Sequence, residues 1–349
     1  MNRKFSSKII LGLLALLTLS LMLELFIFGS RPSGDDDLRK RLIEEHQVFS
    51  VPVPENLTFA KEGIPINRLD VKENLEREFL FLTYWPAGTL LMIKRANRWL
   101  PIIEPILKKY GVPDDFKYIA LVESGFTHES SSRGAGGFWQ FLEGTAEMYG
   151  LEVNDQVDER YHVEKSTQAA CKYFLDAKKQ LGSWTLAAAS FNLGISGIST
   201  QLKQQNARSY YDLALNEETG RYLYRVLAAK AIYQNPADYG FRLRKKDLYP
   251  IIPTYKVKIE SEHVDMTEFA QREGVPFRIL KLLNPWIRKT SLTCDPGQCY
   301  FVSLPEPSFA KTEGLQTEPQ AFGLSEIPDY LSKNNDLSEI ADTVVDAKN

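Results

Sequence analysis

A mainly α-helical domain followed by a small α+β module is the fold class predicted for this 349-residue chain. Three observations predict it. Apolar residues recur at helical spacing, with few interruptions, from about residue 71 to 234. Strand-like alternation is nearly absent before residue 250. Composition then changes at Tyr249-Pro-Ile-Ile-Pro253, after which strand, helix and strand patterns follow one another within about 55 residues.

The N-terminus carries an apolar run, Ile9 to Phe28, long enough to cross a bilayer at about 1.5 Å per helical residue. Arg3, Lys4 and Lys8 precede it and Asp35, Asp36 and Asp37 follow, which orients the chain with its N-terminus inside and the remainder outside. Residues 1–29 therefore read as a membrane anchor or signal segment. The run is long for a signal peptide and Phe26-Ile27-Phe28 is a poor cleavage site, which favours an uncleaved anchor; Gly29 and Ser30 keep cleavage open. Residues 30–70 are polar and punctuated by proline, a tether, and 71–97 are a helical lead-in.

Within the helical region, Pro86-Ala-Gly88 and Pro101 punctuate the pattern, and Gly111-Val-Pro-Asp-Asp115 is a stop followed by a new N-cap. The helix that starts there runs to about Ser124. Further helices are expected over 143–149, 164–181, 184–192, 195–205 and 217–234, separated by Gly150, Gly182, Gly194 and Pro236. The main domain spans 98–245 and the module 250–306, with strands over Tyr255–Ile259 and Cys299–Leu304 and helical spacing from Thr267 to Leu283. Residues 307–349 are polar and acidic, a disordered tail.

Composition excludes several classes of function. A net charge of -3 argues against a nucleic-acid partner. The four histidines are scattered without zinc spacing, so no metal is expected, and no nucleotide fingerprint calls for a cofactor. Cys294 and Cys299 flank Asp-Pro-Gly-Gln, a turn that brings them into reach of a disulfide in an oxidising compartment, or leaves two thiols. Cys171 falls on a helical core pattern.

One carboxylate stands out. In Tyr118-Ile-Ala-Leu-Val-Glu-Ser-Gly-Phe126, Glu123 sits among apolar residues at the end of a helix stopped by Gly125. Desolvation and the negative end of the helix dipole both raise a carboxyl pKa, as a general acid near neutral pH requires. Taken alone, Glu123 also fits a solvated helix-end residue. Close by, the segment Ser130-Ser-Ser-Arg-Gly-Ala-Gly-Gly-Phe-Trp-Gln-Phe141 offers Trp139 and Phe141 for stacking on sugars and Gln140 for hydrogen bonding, or a glycine turn entering a core. Further on, Ala187-Ala-Ala-Ser-Phe-Asn-Leu-Gly194 places Asn192 beside a helix-ending glycine.

Together with Tyr149-Gly-Leu, Asp158-Glu-Arg and Glu218-Thr-Gly-Arg-Tyr222, these segments occur in the order and rough spacing of the soluble lytic transglycosylase catalytic domain, and the chain most resembles the membrane-bound murein transglycosylase D type over about residues 98–235. The resemblance implies a lysozyme-like helical domain that cleaves the MurNAc-β-1,4-GlcNAc bond of peptidoglycan without water. By resemblance Glu123 is the single acid/base, and Ser124, Ser131, Ser132, Gln140, Phe191, Asn192 and Tyr222 are substrate-binding positions. The sequence departs from the family twice: the loop before Gly134 is about one residue short, and Phe191 stands where the family usually has tyrosine. The C-terminal module resembles a LysM glycan-binding domain through Tyr255-Lys-Val, Phe269-Ala, Ile279-Leu-Lys-Leu-Leu-Asn284 and Gly297-Gln, with Val264-Asp-Met-Thr-Glu268 replacing the usual Gly-Asp-Thr-Leu.

The resemblance further implies peptidoglycan strands as partner, no cofactor, and a place on the periplasmic side of a bacterial envelope, tethered to the inner membrane through residues 9–28. Two other readings stay open: a muramidase that hydrolyses the same bond with water, and a weakly active peptidoglycan-binding envelope protein.

Overall fold

A computed structural model describes residues 12–14, 16–20, 22, 48–260 and 263–312. The expected anchor over 9–28 falls mostly outside the described residues, as does the expected tail beyond 312. Among the described residues, no helix is long and apolar enough to cross a membrane. The chain divides into two units, Met1–Ser50 and Val51–Asn349, and the second holds everything that follows.

This unit opens with a hairpin, β1 (Thr58–Phe59) paired with β2 (Glu62–Gly63). The expected tether is thus packed structure from Val51 onward: Leu57 and Ile64 are buried and Phe59 is fully enclosed. The polar look of the segment misleads because Val51, Leu57, Phe59 and Ile64 point inward, while the acidic Glu62 serves a helix end. The Glu62 carboxylate accepts from the Trp184 and Thr185 amides at 2.7 and 2.9 Å, satisfying donors that a helix N-terminus leaves open.

Two long helices follow, α1 (Leu69–Thr83) and α2 (Pro86–Tyr110). Val71, Leu75, Phe79 and Leu82 form the buried stripe of α1, and Ile93, Ala96, Leu100, Ile103 and Leu107 that of α2. Pro101 does not punctuate α2 as its sequence suggests; the helix continues through Pro101 and Pro105 to Gly111 at φ 72°. Both prolines lie on the exposed face, where the carbonyls they leave unpaired meet water. The division between lead-in and domain at residue 98 likewise falls inside one continuous helix.

A 3₁₀ turn, Asp114–Phe116, leads into α3 (Lys117–Ser124). The short α4 (Glu143–Met148) precedes α5 (Val163–Leu181), α6 (Trp184–Leu193), α7 (Ile195–Gln204) and α8 (Glu217–Gln234). Helix α8 packs on α1, α3 and α6, and α2 packs on α5 and α3. One hydrophobic core runs through all of them, with Cys171 enclosed in it.

The C-terminal module pairs β3 (Thr254–Ile259) with β6 (Tyr300–Pro305) antiparallel, Val257 opposite Val302. Between them lie β4 (Val264–Asp265), α9 (Met266–Arg272), α10 (Phe277–Leu283) and β5 (Ser291–Leu292). The single helical stretch expected over 267–283 is two helices, broken at Gly274-Val-Pro276. Asp265 caps α9 through the Thr267 and Glu268 amides. Asn284, fully buried, holds α10 to β6 by exchanging 2.7 Å bonds with the Ser303 amide and carbonyl. The three cysteines are free, and Cys294 donates to the Ile259 carbonyl at 3.4 Å. A last short helix, α11 (Pro307–Thr312), occupies the start of the expected tail, with Ala310 buried.

The module is docked on the helical domain. Val157 is buried in the module's own core and bridges Ile287, the Asp158 amide donates to the Trp286 carbonyl, and the Arg288 amide donates to the Gln156 carbonyl, each at 2.8 Å. Gln156 adds a reciprocal pair with Thr293, 2.9 Å outward and 3.1 Å back.

Candidate active site

Glu123 is the penultimate residue of α3. The helix stops at Gly125, whose φ of 55° closes the turn; a Cβ there would stand 3.2 Å from Met92 Cγ on α2. The close approach fixes the end of α3 against α2, and the Arg95 guanidinium adds a 3.3 Å bond to the Gly125 carbonyl. The carboxyl opens onto a cleft of about 590 Å³ lined also by Phe81, Trp85, Met92, Thr127, Glu129, Arg221 and Arg225.

The electrostatics of Glu123 follow from its surroundings. Burial among α2, α3 and α8 raises its pKa most, and the charge of Glu218 raises it further. A hydrogen bond from the Tyr222 hydroxyl to Oε1, 2.5 Å, and the Arg225 charge pull the other way. The balance leaves the carboxyl at about 7. Tyr222 itself is buried on α8, and burial beside Glu123 raises its own pKa well above the phenol range.

Neighbouring carboxylates are differently held. Glu78, buried on α1, receives Arg221 Nε at 2.6 Å and Arg225 Nε at 3.3 Å, so both of its oxygens are engaged. Glu129 is exposed on the loop after α3. Among the described residues, no group of three ligating side chains is placed to hold a metal ion.

The sequence-selected residues separate into distinct places. Ser124 ties the end of α3 to the glycine loop, its Oγ donating to the Phe138 carbonyl at 3.0 Å and accepting from the Phe126 amide at 3.0 Å. Ser131 shapes the loop, its Oγ accepting from the Arg133 and Ala135 amides at 3.3 and 3.0 Å. Ser132 is exposed. None of the residues lining the Glu123 cleft is Ser131 or Ser132.

Gln140, Phe191 and Asn192 line a second cleft, of about 540 Å³, with Tyr149 and Tyr173. Gln140 adopts φ 49°, and its Nε2 donates to the Gly137 and Glu129 carbonyls at 2.8 and 3.0 Å, leaving its carbonyl oxygen available. Asn192 accepts from Thr219 Oγ1 at 2.7 Å and donates to Glu218 at 3.4 Å. Glu218 lies 3.6 Å from Arg133, so this one carboxylate touches both the loop and α6. Phe191 packs edge-on against Trp139, Phe141 and Tyr173, which accounts for an apolar ring at this position.

Trp139 and Phe141 are not sugar platforms. Both are buried, and the Trp139 indole donates to Thr167 Oγ1 at 3.0 Å inside the core. The glycine loop that carries them leans on the next turn of chain. The Arg160 guanidinium, paired with Asp158 at 2.7 Å, donates to the Gly134 and Phe141 carbonyls at 2.7 and 3.2 Å. A Cβ on Gly137 would stand 1.8 Å from the Arg160 carbonyl oxygen, so glycine is obligatory there.

Sequence reasoning missed Phe81, Trp85, Glu78 and Arg225. The only available signal was Trp85-Pro86 at a helix start, which does not distinguish an exposed tryptophan from a buried one.

Two stretches of the chain match known protein families. Residues 101–214 match the transglycosylase SLT domain, and 255–308 match the soluble lytic transglycosylase C-terminal LysM-like domain. The chain is 29% identical over 248 residues, 69% of its length, to membrane-bound lytic murein transglycosylase D of Escherichia coli strain K12, and equally so to that of strain O6:H1. In both cases 53% of the relative is covered, so the chain spans about half the length of the curated relatives it matches. Helix α8, with Tyr222, and the α1–α2 turn, with Phe81 and Trp85, lie outside the matched SLT stretch. The chain thus carries an SLT transglycosylase domain followed by a LysM-like domain, and it is similar to these lytic murein transglycosylases.

Proposed function

We propose that this protein is a lytic transglycosylase of the bacterial envelope that cleaves MurNAc-β-1,4-GlcNAc bonds of peptidoglycan and leaves 1,6-anhydro-MurNAc ends. The observation that carries the reading is Glu123: a desolvated carboxyl at about 7, facing an open cleft, with one hydroxyl partner.

Because Tyr222 donates to Oε1, the acid proton resides on Oε2. Oε2 delivers it to the glycosidic oxygen as the C1–O bond breaks. The resulting carboxylate then takes the proton of the C6 hydroxyl of MurNAc while O6 bonds to C1, closing the anhydro ring. No water is consumed, and Glu123 ends protonated as it began. The pKa near 7 suits both halves, since a group must be acid in one and base in the other. Arg225, near enough to stabilise the carboxylate electrostatically, supports the intermediate stage.

Glycosidases that hydrolyse with two carboxylates need a second free one across the bond. Of the carboxylates beside Glu123, Glu78 is bound by two arginines, Glu129 is exposed on a loop and Glu218 is engaged by Asn192 and Arg133, which supports the one-carboxylate route. Gln140 and Asn192 serve as polar contacts for substrate in the second cleft, and Ser124 positions the glycine loop. Ser131 and Ser132 belong to the loop rim. The basic-flanked apolar run at 9–28 supports tethering to the inner membrane, with the catalytic unit on the periplasmic side.

Product analysis of digested sacculi tests the reading. Anhydro-MurNAc ends support it. Reducing MurNAc ends would make the protein a muramidase, and no soluble product would make it a binding protein.

A further inference from the structure

The turn between α1 and α2, which precedes the matched SLT stretch, places two large aromatic rings in the open beside Glu123. Trp85, at the start of α2, is 58% exposed, and Phe81, in the last turn of α1, is 59% exposed. Leaving two such rings in water forgoes apolar burial, and contiguous exposed apolar surface commonly marks a binding site. Both rings line the cleft onto which Glu123 opens.

Neither ring is loose. The indole of Trp85 lies flat on the backbone of Gly88: a Cβ at residue 88 would meet Cε2, Cζ2 and Cδ2 at 2.1, 2.2 and 2.4 Å. Residue 88 must therefore be glycine for the indole to lie there. The turn beneath is pinned by Thr89 Oγ1 donating to the Leu82 carbonyl at 2.6 Å. Phe81 is covered on one side by the Arg221 guanidinium, 5.1 Å from its centroid, and Arg221 is held by Glu78. Helix α2 then connects this ledge rigidly to the end of α3 through Met92 and Arg95 at Gly125.

Resting on the transglycosylase reading above, we infer that Trp85 and Phe81 form a saccharide-stacking subsite of the cleft, for a β-1,4-linked N-acetylhexosamine unit of the strand being cut. The apolar faces of pyranose rings present C–H groups that pack on aromatic faces, while their hydroxyl and acetamido groups remain at the polar rim, where Arg95 and Glu129 line the same cleft. A strand reaching Glu123 extends along the cleft past these rings. The ledge comes from α1 and α2, not from the segments that carry the SLT motifs, so it sets how many sugars this chain grips rather than the chemistry.

The test measures kcat and KM of the whole chain on glycan strands of graded length purified from peptidoglycan, for wild type, Trp85→Ala, Trp85→Phe and Phe81→Ala. Loss of the indole should raise KM about tenfold on strands long enough to reach the ledge, with kcat little changed, because the contact is equal in ground and transition states. The shortest cleavable strands should show little effect, and Trp85→Phe, which keeps an aromatic face, should recover most of the affinity. Thermal melting of Trp85→Ala at the wild-type temperature excludes misfolding as the cause. Wild-type cleavage with an unchanged KM in Trp85→Ala and Phe81→Ala at every length would overturn the subsite and leave the catalytic reading standing. Failure of the wild type to cut strands of any length would overturn both.

Discussion

The hydroxyl of Tyr222 on α8 donates to Oε1 of Glu123 on α3 at 2.5 Å. This bond spans 99 residues of sequence and orients the carboxyl that faces the cleft. It opposes the effect of burial, since a donor to the carboxylate favours its ionised form. Tyr222→Phe therefore raises the Glu123 pKa above about 7 and frees the carboxyl to rotate. The alkaline limb of the kcat/KM profile should move to higher pH, and kcat should fall about tenfold from lost orientation. An unshifted limb would contradict the role given to Tyr222.

Glu123 also leaves a signature in stability. Its folded pKa, about 7, lies above the ordinary 4.5. The contribution of such a group is fully present below pH 4.5 and is lost as pH rises through about 7, because only the unfolded chain ionises easily in that window. Glu123→Gln removes this loss. Scanning calorimetry should find the variant melting several degrees above wild type at pH 8 and level with it near pH 4. A gap independent of pH would contradict the assigned pKa.

His128 predicts the opposite slope. It stacks on Phe138 at 4.9 Å, its Nδ1 is buried without a hydrogen-bond partner among the described residues, and burial depresses its pKa to about 4. Arg98, Tyr161, His162 and Glu164 line the same pocket between domain and module, and burial depresses His162 similarly. With folded values below the ordinary 6.5, both histidines contribute stability that is present above pH 6.5 and lost as pH falls toward about 4. His128→Phe should flatten part of that loss in melting temperature measured from pH 7 to 4.

The glycine loop supplies a stability prediction. Gly137→Ala places a Cβ against the Arg160 carbonyl at a φ of 76°, and should cost more than about 3 kcal/mol in urea unfolding. Arg160→Ala strands the buried Asp158 carboxylate and two loop carbonyls, with a loss of about 3–5 kcal/mol. Near-native stability in either variant would mean the loop relaxes freely.

Much of this was legible because helical periodicity is local. The stripe of α5 and the glycine stops at 182 and 194 appear in the sequence as they do in the fold. Glu123, Asn192 and Tyr222 could be selected from motif order, but not their arrangement: that Tyr222 bonds Glu123, while Asn192 lines another cleft, depends on the packing of α8 against α3 and α6. Burial was the least legible property. Trp139 and Trp85 look alike in a sequence, yet one fills the core and the other stands in the cleft. The β1–β2 hairpin was hidden because Phe59 and Glu62 find their partners, Phe116 and the α6 N-terminus, far along the chain.

In the proposed reaction one carboxyl at about 7 performs both proton transfers. The most direct test is mass spectrometry of the muropeptides released from purified sacculi by the wild-type protein and by Glu123→Gln. The wild type should release 1,6-anhydro-MurNAc ends, and the variant should release at least about 100-fold less. Reducing MurNAc ends from the wild type, or undiminished release by Glu123→Gln, would contradict that reaction.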